Sequence, residues 1–509
     1  MVPALSASSN SFDMMMKPSR KSHQAGLLAL AASALLASCA VGPNFKQPPA
    51  PIVNAYSSNA ISTMNITTNV TGGEAQHFVT GQDIAGDWWT LFHSKPLNDL
   101  IERSLKANPN LKAAQAALVV ARENVKAQYG AYYPSASASF SAARQKTAAD
   151  IAPVPNDNQL YFNLYTPQVT VSYVPVVFGL NRRTVESLKA QEQQARFALV
   201  ATDIALSANV VAAAIQEASL REQIAATHQL IAINTNMLQI LRAQFGKGYS
   251  SRLDVAAQES QLAQTVATLP PLVKQLAQQR DLLAALSGSF PSEGPAEEFE
   301  LSTLHLPEEL PLSLPSKLIE QRPDVRQAEE NWHAASAQVG IAVANRLPNF
   351  MLNADAGSMA LQFGQIFSSG TGFWTLAGSV TQPIFEGGAL LHRERAARAA
   401  SVQAEQQYRA AVLTAFQNVA DTLNALGQDD DALNAAAAAR DAAKITLDLS
   451  HQQWQSGYAG YLALLNAEQA YNQAVITLIQ AQANRFADTA ALFQALGGGW
   501  WNRSDLAKN

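Results

Sequence analysis

NPNLKAAQAALVVARENVKAQYGAYYPSASASF, residues 108–140, has a counterpart in RPDVRQAEENWHAASAQVGIAVANRLPNFMLNA, residues 322–354. Pro109 aligns with Pro323 and Pro134 with Pro348, both 214 residues apart. Two further landmarks follow in the same order. Pro175 and Gly179 of YVPVVFGL match Pro383 and Gly387 of TQPIFEGG at an offset of 208, and FGKGYSSRLDVAAQES matches WQSGYAGYLALLNAEQ at 209. Self-similarity at a nearly constant offset marks a tandem duplication. The chain of 509 residues is therefore read as two copies of a unit of about 210, not as the three ordinary domains its length would suggest. The boundaries follow as a first repeat over 86–290, a Pro/Glu-rich linker over 291–315, a second repeat over 316–496 and a tail over 497–509.

Both copies have the same internal order. A short helix, about Leu97 to Ala107 or Ser316 to Gln321, stops before a proline that suits the first turn of the next helix, where its missing N–H is no loss. Two segments with period-two alternation come next. Ala136, Ala138 and Phe140 oppose Ser135, Ser137, Ser139 and Ser141; Val169, Val171 and Tyr173 oppose Gln168, Thr170 and Ser172. In the second copy Phe350, Leu352 and Ala354 oppose Met351, Asn353 and Asp355, and Trp374, Leu376 and Val380 oppose Phe373, Thr375, Ser379 and Thr381. One apolar and one small polar face over about ten residues is the pattern of a transmembrane barrel strand. Alternation alone leaves open a hairpin lying on a soluble core. Very long helices follow. Arg182 to Phe245 holds neither Gly nor Pro and would reach roughly 95 Å; its counterpart, Ala389 to Gln455, holds only Gly427. Each ends in a Gly-containing turn and returns as a second helix. Pro270-Pro271 is expected to break or kink the first return helix, whereas Tyr461 to Leu496 has no such interruption.

Composition excludes several classes. A net charge of −5 gives no support for nucleic-acid binding. One cysteine, Cys39, rules out an internal disulfide, and no HExxH or His-x-His pair points to a metal or other cofactor. No nucleophile–base pair or phosphate loop suggests an enzyme. No run of about 20 apolar residues stands out as a membrane span. Ala25 to Ala37 follows Lys17, Arg20 and Lys21 and has the features of a secretory signal over 1–38, with Met14, Met15 or Met16 as the more usual start. Leu36-Ala37-Ser38-Cys39 resembles the lipobox of bacterial lipoproteins, which implies cleavage before Cys39 and acylation of its thiol; Ala40 in place of Asp implies the outer membrane. Residues 39–85, rich in Pro, Asn, Thr and Ser, read as an extended arm, and its sequons at Asn65 and Asn69 as chance.

Two strands per unit make four per chain. Four strands cannot close a barrel in lipid, so membrane insertion demands oligomerisation. Here the chain resembles the TolC/OprM-like outer-membrane factor family, in the lipoprotein branch that serves resistance-nodulation-division (RND) efflux systems. The resemblance rests on CAVGPNFKQP after the lipobox, DWWTLF at Asp87, NPNLKAA at Asn108, QRPDVRQAE at Gln321, QPIFEGGAL at Gln382 and AVLTAFQNVADTLNAL at Ala411. It implies an α+β outer-membrane duct: a homotrimer whose twelve strands form one barrel continuous with an α-helical periplasmic barrel. It also implies docking of a periplasmic adaptor and an inner-membrane RND pump at the helical tips, and passive passage of drugs or other small toxic compounds to the exterior. A type I protein-secretion duct and a non-conducting, lipid-anchored coiled-coil scaffold remain the competing readings.

The resemblance also suggests site residues. Just after the second turn, relatives narrow the channel with rings of carboxylates and apolar side chains. Leu462 falls at an apolar ring position; Ala463 and Asn466 fall where Asp is frequent, so a ring of Asn466 would be polar but uncharged. Asp254 matches a residue that locks the closed state by bonding an Arg and a Tyr near the other turn, whose positions here hold Ala459 and Trp454. Asp254 also fits a carboxylate favoured at a helix N-terminus, and Leu462 fits ordinary seam packing. The turns with Gly246, Lys247, Gly248, Gly457, Tyr458 and Gly460 would meet the adaptor, although glycine there equally serves to end helices.

Overall fold

A computed structural model describes residues 40–57, 70–146 and 161–507. The expected leader, Cys39, Asn65 and Asn69 lie outside the described residues. In chain order the first half has β1 (His77–Thr80), α1 (Lys95–Ala107), α2 (Pro109–Tyr129), β2 (Ser135–Lys146), β3 (Tyr161–Tyr173), α3 (Leu180–Gly246) and α4 (Arg252–Leu286). Then come β4 (Glu309–Leu312), α5 (Pro315–Gln321), α6 (Pro323–Ala344), β5 (Asn349–Ser358), β6 (Gly372–Thr381), α7 (Ala389–Gln455), α8 (Tyr461–Ala495) and α9 (Ser504–Ala507). The duplication holds almost residue for residue: α3 and α7 each have 67 residues, and α4 and α8 each have 35. Pro109 and Pro323 open α2 and α6, where a proline has no hydrogen bond to lose.

The chain divides into two compact units. One comprises residues up to Asn44, Ala127–Glu186 and Ser336–Arg398 and contains the larger sheet. Its strands run antiparallel in the order β2-β3-β5-β6. The register sorts side chains by chemistry. Phe140 pairs with Pro167, Val169 with Ala356 and Ala356 with Trp374, so these share one face. Ser137 pairs with Thr170, Thr170 with Asp355 and Asp355 with Thr375 on the other. Hydroxyls tie the polar face across strands: Thr170 Oγ1 donates to Asp355 Oδ1 at 2.6 Å, and Ser172 Oγ to Asn353 Oδ1 at 2.8 Å. The apolar face is bare, with Trp374 78%, Leu376 73%, Val380 61% and Phe140 56% exposed. Burying side chains of this size is favourable by about 1.5–3 kcal/mol each, so a single chain leaves much of its stabilisation unused. Among the described residues, β2 and β6 each keep one unpaired edge.

The second unit comprises Phe45–Lys126, Ser187–Ala335 and Ala399 onward. Its core explains the DWWTLF motif. Those residues form a 3₁₀ turn over Trp88–Phe92 that buries Trp88, Trp89 and Phe92. Trp88 stacks on Phe493 of α8 at 5.2 Å, and Phe92 meets Phe486 of the same helix. One window of α3 is long and apolar enough to cross a membrane, but two thirds of it is buried inside the protein, so it serves as core.

Three expectations are sharpened. The Pro270-Pro271 pair does not break α4, which is continuous from Arg252 to Leu286. The prolines withdraw two donors from the carbonyls of Val266 and Ala267; all four residues are exposed, so water can bond those carbonyls instead. Residues 39–85 and 291–315 are not simply arm and linker. Their segments β1 and β4 pair in parallel, His77 opposite Glu309 through Thr80 opposite Leu312. The tail packs down over residues 497–507. Trp500 is buried and donates from Nε1 to the Gln321 carbonyl at 2.7 Å, and Arg503 reaches buried Asp203 at 2.6 Å.

Candidate functional site

The two helical turns are built alike. After α3, the Tyr249 N–H donates to the Gln244 carbonyl and the Gly248 N–H to Phe245; after α7, Tyr458 N–H donates to Gln453 and Gly457 N–H to Trp454. Both are Schellman closures, which need a left-handed residue at the crossing point. Gly248 and Gly457 supply it, each at φ +77°. The aromatic next to each glycine projects into solvent, Tyr249 at 82% and Tyr458 at 88% exposure. Gly246, Lys247, Gly248, Gly457, Tyr458 and Gly460 all lie on exposed turns.

The helices that follow start differently. Ser251 and Asp254 form a capping box on α4: the Asp254 N–H donates to Ser251 Oγ at 3.1 Å, and the Ser251 N–H to Asp254 Oδ2 at 2.9 Å. The hydroxyl of Ser251 donates to the same oxygen and is the main cause holding the Asp254 carboxyl below its ordinary range, helped by the Ser251 N–H and the Ser250 hydroxyl. Every hydrogen bond described for Asp254 stays within its own turn. Helix α8 begins at Gly460 with no side-chain cap.

What ties the turns together is neutral. Tyr461 Oη donates to Gln258 Oε1, joining α8 to α4. Gln258 Nε2 donates on to the carbonyl and side-chain oxygens of Asn234 in α3, both at 3.0 Å. Gln469 Nε2 donates to Gln261 Oε1 at 2.6 Å. Trp454 packs edge-on against Tyr461 at 6.2 Å and joins the cluster of Met237, Leu238, Leu241, Val255, Leu464 and Leu465. Sequence reasoning missed Gln258, Asn234, Gln261 and Tyr461. In α4, Gln258, Gln261 and Thr265 share one helical face, but that spacing alone does not tell a buried amide from a solvated one. Leu462 and Asn466 take no part in this network; both are exposed, Leu462 at 64%, on the side of α8 turned away from the buried cluster. Glu468 lies two turns from the start of α8, 4% exposed, with Oε2 unpartnered; burial pushes its carboxyl up to about 7. Among the described residues no three His, Cys, Asp or Glu side chains are placed to hold a metal.

The segment that follows Cys39 has a built dock in the sheet-containing unit. Arg183, at the start of α3, donates from Nε to the Val41 carbonyl at 3.0 Å, from Nη2 to the Gly42 carbonyl at 3.2 Å and to Asn44 Oδ1 at 2.7 Å. Its Nη1 bonds Glu186 at 2.7 Å, and its side chain is 3% exposed. Gly42 lies so close to Gly340 that a Cβ on Gly42 would stand 2.4 Å from the Gly340 Cα. Arg183 lies just past the YVPVVFGL landmark, but nothing in the sequence alone pairs it with residues 41–44.

A sheet apolar on one face and polar on the other, with both edges open, on a chain with paired 67-residue helices, defines a protomer of a membrane-inserted duct. Comparison with known proteins agrees. The family model for outer membrane efflux proteins matches residues 100–289 and 314–498, one span per repeat. The chain belongs to the outer membrane efflux protein family. It is 28% identical to the probable efflux pump outer membrane protein SepC of Pseudomonas putida, over 94% of this chain and 97% of that one. It is 26% identical to outer membrane protein OprJ of Pseudomonas aeruginosa, over 93% and 96%. Among solved structures, the outer-membrane channel OprN superposes with a TM-score of 0.81 at 25% identity, covering 91% of this chain and all of that one. The Campylobacter jejuni CmeC outer membrane channel does so at 0.82 and 20% identity, over 92% and 97%. The protein is thus an outer-membrane efflux channel component.

Proposed function

We propose that three copies of this chain close one twelve-stranded barrel in the outer membrane and conduct small toxic compounds, drugs among them, passively from periplasm to exterior. The observation that carries the reading is the four-stranded sheet with a bare apolar face and two unpaired edges. Lipid accepts the apolar face but no open edge, so the β6 edge of one copy must pair with the β2 edge of the next. The chain itself performs no chemistry; selection and energy come from an inner-membrane RND pump and a periplasmic adaptor that bind at the exposed turns around Gly248 and Gly457. Acylation of Cys39 supplies the lipid anchor. The neutral network of Tyr461, Gln258 and Asn234 holds the periplasmic end closed, with Leu462 and Asn466 facing the narrowed channel. Relatives named for toluene and pyoverdine export support a small-molecule cargo over a secreted protein.

Purified protein in detergent, tested for mass and single-channel current, checks this directly. A trimer that conducts is expected. A non-conducting monomer would favour the coiled-coil scaffold and sink the duct. For the gate, Leu462→Ala is expected to raise conductance; an unchanged value would remove Leu462 from the constriction.

A further inference from the structure

We propose that Asp355 sets the ion preference of the duct, as a threefold ring of carboxylates on the lumen side of the barrel that favours cations. The inference rests on the trimeric barrel proposed above. Among the described strand residues, Asp355 is the one charged side chain on the polar face. The other positions of that face are uncharged: hydroxyls and amides such as Ser137, Gln168 and Asn353, interspersed with Leu164, Met351 and Phe373. The remaining charges of this sheet, Arg144 and Lys146, lie at the far end of β2 and have the parity of the apolar face. Asp355 is flanked in register by Thr170 and Thr375, and Thr170 Oγ1 donates to its Oδ1 at 2.6 Å, which fixes the carboxylate on this face. The tip lacks the alternative: Ala463 and Asn466 bring no charge to the constriction after the second turn. The proposal places the charge filter in the barrel.

The size of the effect follows from geometry. Twelve strands spaced about 4.8 Å apart and tilted about 40° form a cylinder of roughly 12 Å radius. A carboxylate reaching some 4 Å inward would lie about 8 Å from the axis, close to the Debye length at physiological salt. Three such charges favour a monovalent cation over an anion by about fivefold there, and by tens-fold at 0.01 M salt. Neutral polar rows give no such preference.

The test is the reversal potential of full-length protein in a planar bilayer under a potassium chloride gradient, at high and low salt. The wild type is expected to be cation-selective, more so as salt falls. Asp355→Asn keeps an oxygen to accept from Thr170 and should lose most of the preference; Asp355→Lys should turn it toward chloride, and Asp355→Glu should retain it. Conducting Asp355→Asn and Asp355→Lys channels with wild-type selectivity would overturn the proposal and leave the duct reading intact. Selectivity of the wild type that does not change with salt would also overturn it, whether or not the variants insert. Absence of any current from the wild type would instead defeat the duct itself and the ring with it.

Discussion

Tyr461 and Glu468 stand seven residues apart on α8, and both are buried. The phenol finds a partner in Gln258, whereas the carboxyl has one oxygen without any. Tyr461→Phe keeps the ring against Trp454 and removes one buried hydrogen bond, a loss of about 1 kcal/mol, more if Gln258 is left unsatisfied. Higher open probability at unchanged trimer content is the expected result in bilayer recordings. Glu468 makes stability depend on pH. Burial raises its carboxyl from 4.5 to about 7, so between those values the folded protein keeps a proton that the unfolded chain has lost. Stability from this group is therefore full below about pH 4.5 and falls as pH rises toward 7, by up to about 3 kcal/mol. Thermal unfolding of the wild type and of Glu468→Gln across pH 4.5–8 checks the sign: the variant should lose this part of the slope. Asp254 was legible as a helix-start carboxylate from Ser251 three residues before it. Gln258 was not, because an amide on a polar helix face looks the same whether it meets water or a partner.

At the scale of elements, lengths and order followed from pattern: the repeats, the glycine turns and the proline starts each announce themselves locally. The pieces that join distant segments did not. Strands β1 and β4 have four residues each and pair across more than 200 positions, and β4 even contains Pro311. A parallel pair this short has no alternation to read. The Arg183 dock is of the same kind. Three backbone and side-chain oxygens of residues 41–44 converge on one guanidinium, a geometry that lysine cannot reproduce. Arg183→Ala leaves those oxygens without their donor and is expected to cost about 3 kcal/mol locally. Limited proteolysis of residues 40–57 should speed up in this variant, and Arg183→Lys should rescue it only in part. An unchanged cleavage rate would show that other contacts hold the segment.

For the molecule as a whole, the arithmetic of four strands against the smallest closed barrels already demanded partners before any coordinates. The register then decided which face is apolar along its full width, from Phe140 through Val169 and Ala356 to Trp374. A one-residue slip of β5 would have put Asp355 among those side chains. Cys39→Ser is expected to lose acylation, seen as a mass difference, while the trimer still forms; failure to trimerise would give the anchor a role in assembly.

By itself the sequence determined the duplication, the four alternating strands, the long helices and their turns, and a lone cysteine in a stretch that resembles a lipobox. These depend on periodicity and on residues such as glycine and proline whose backbone preferences act within a few positions. Only the tertiary structure decided that α4 runs through its prolines, that residues 77–80 pair with 309–312, that 497–507 pack down, that Arg183 holds the segment after Cys39, and that amides rather than a charged pair join the two turns. Those outcomes depend on which distant groups meet, and burial, water access and hydrogen-bond partners are set by that meeting and not by the local chain.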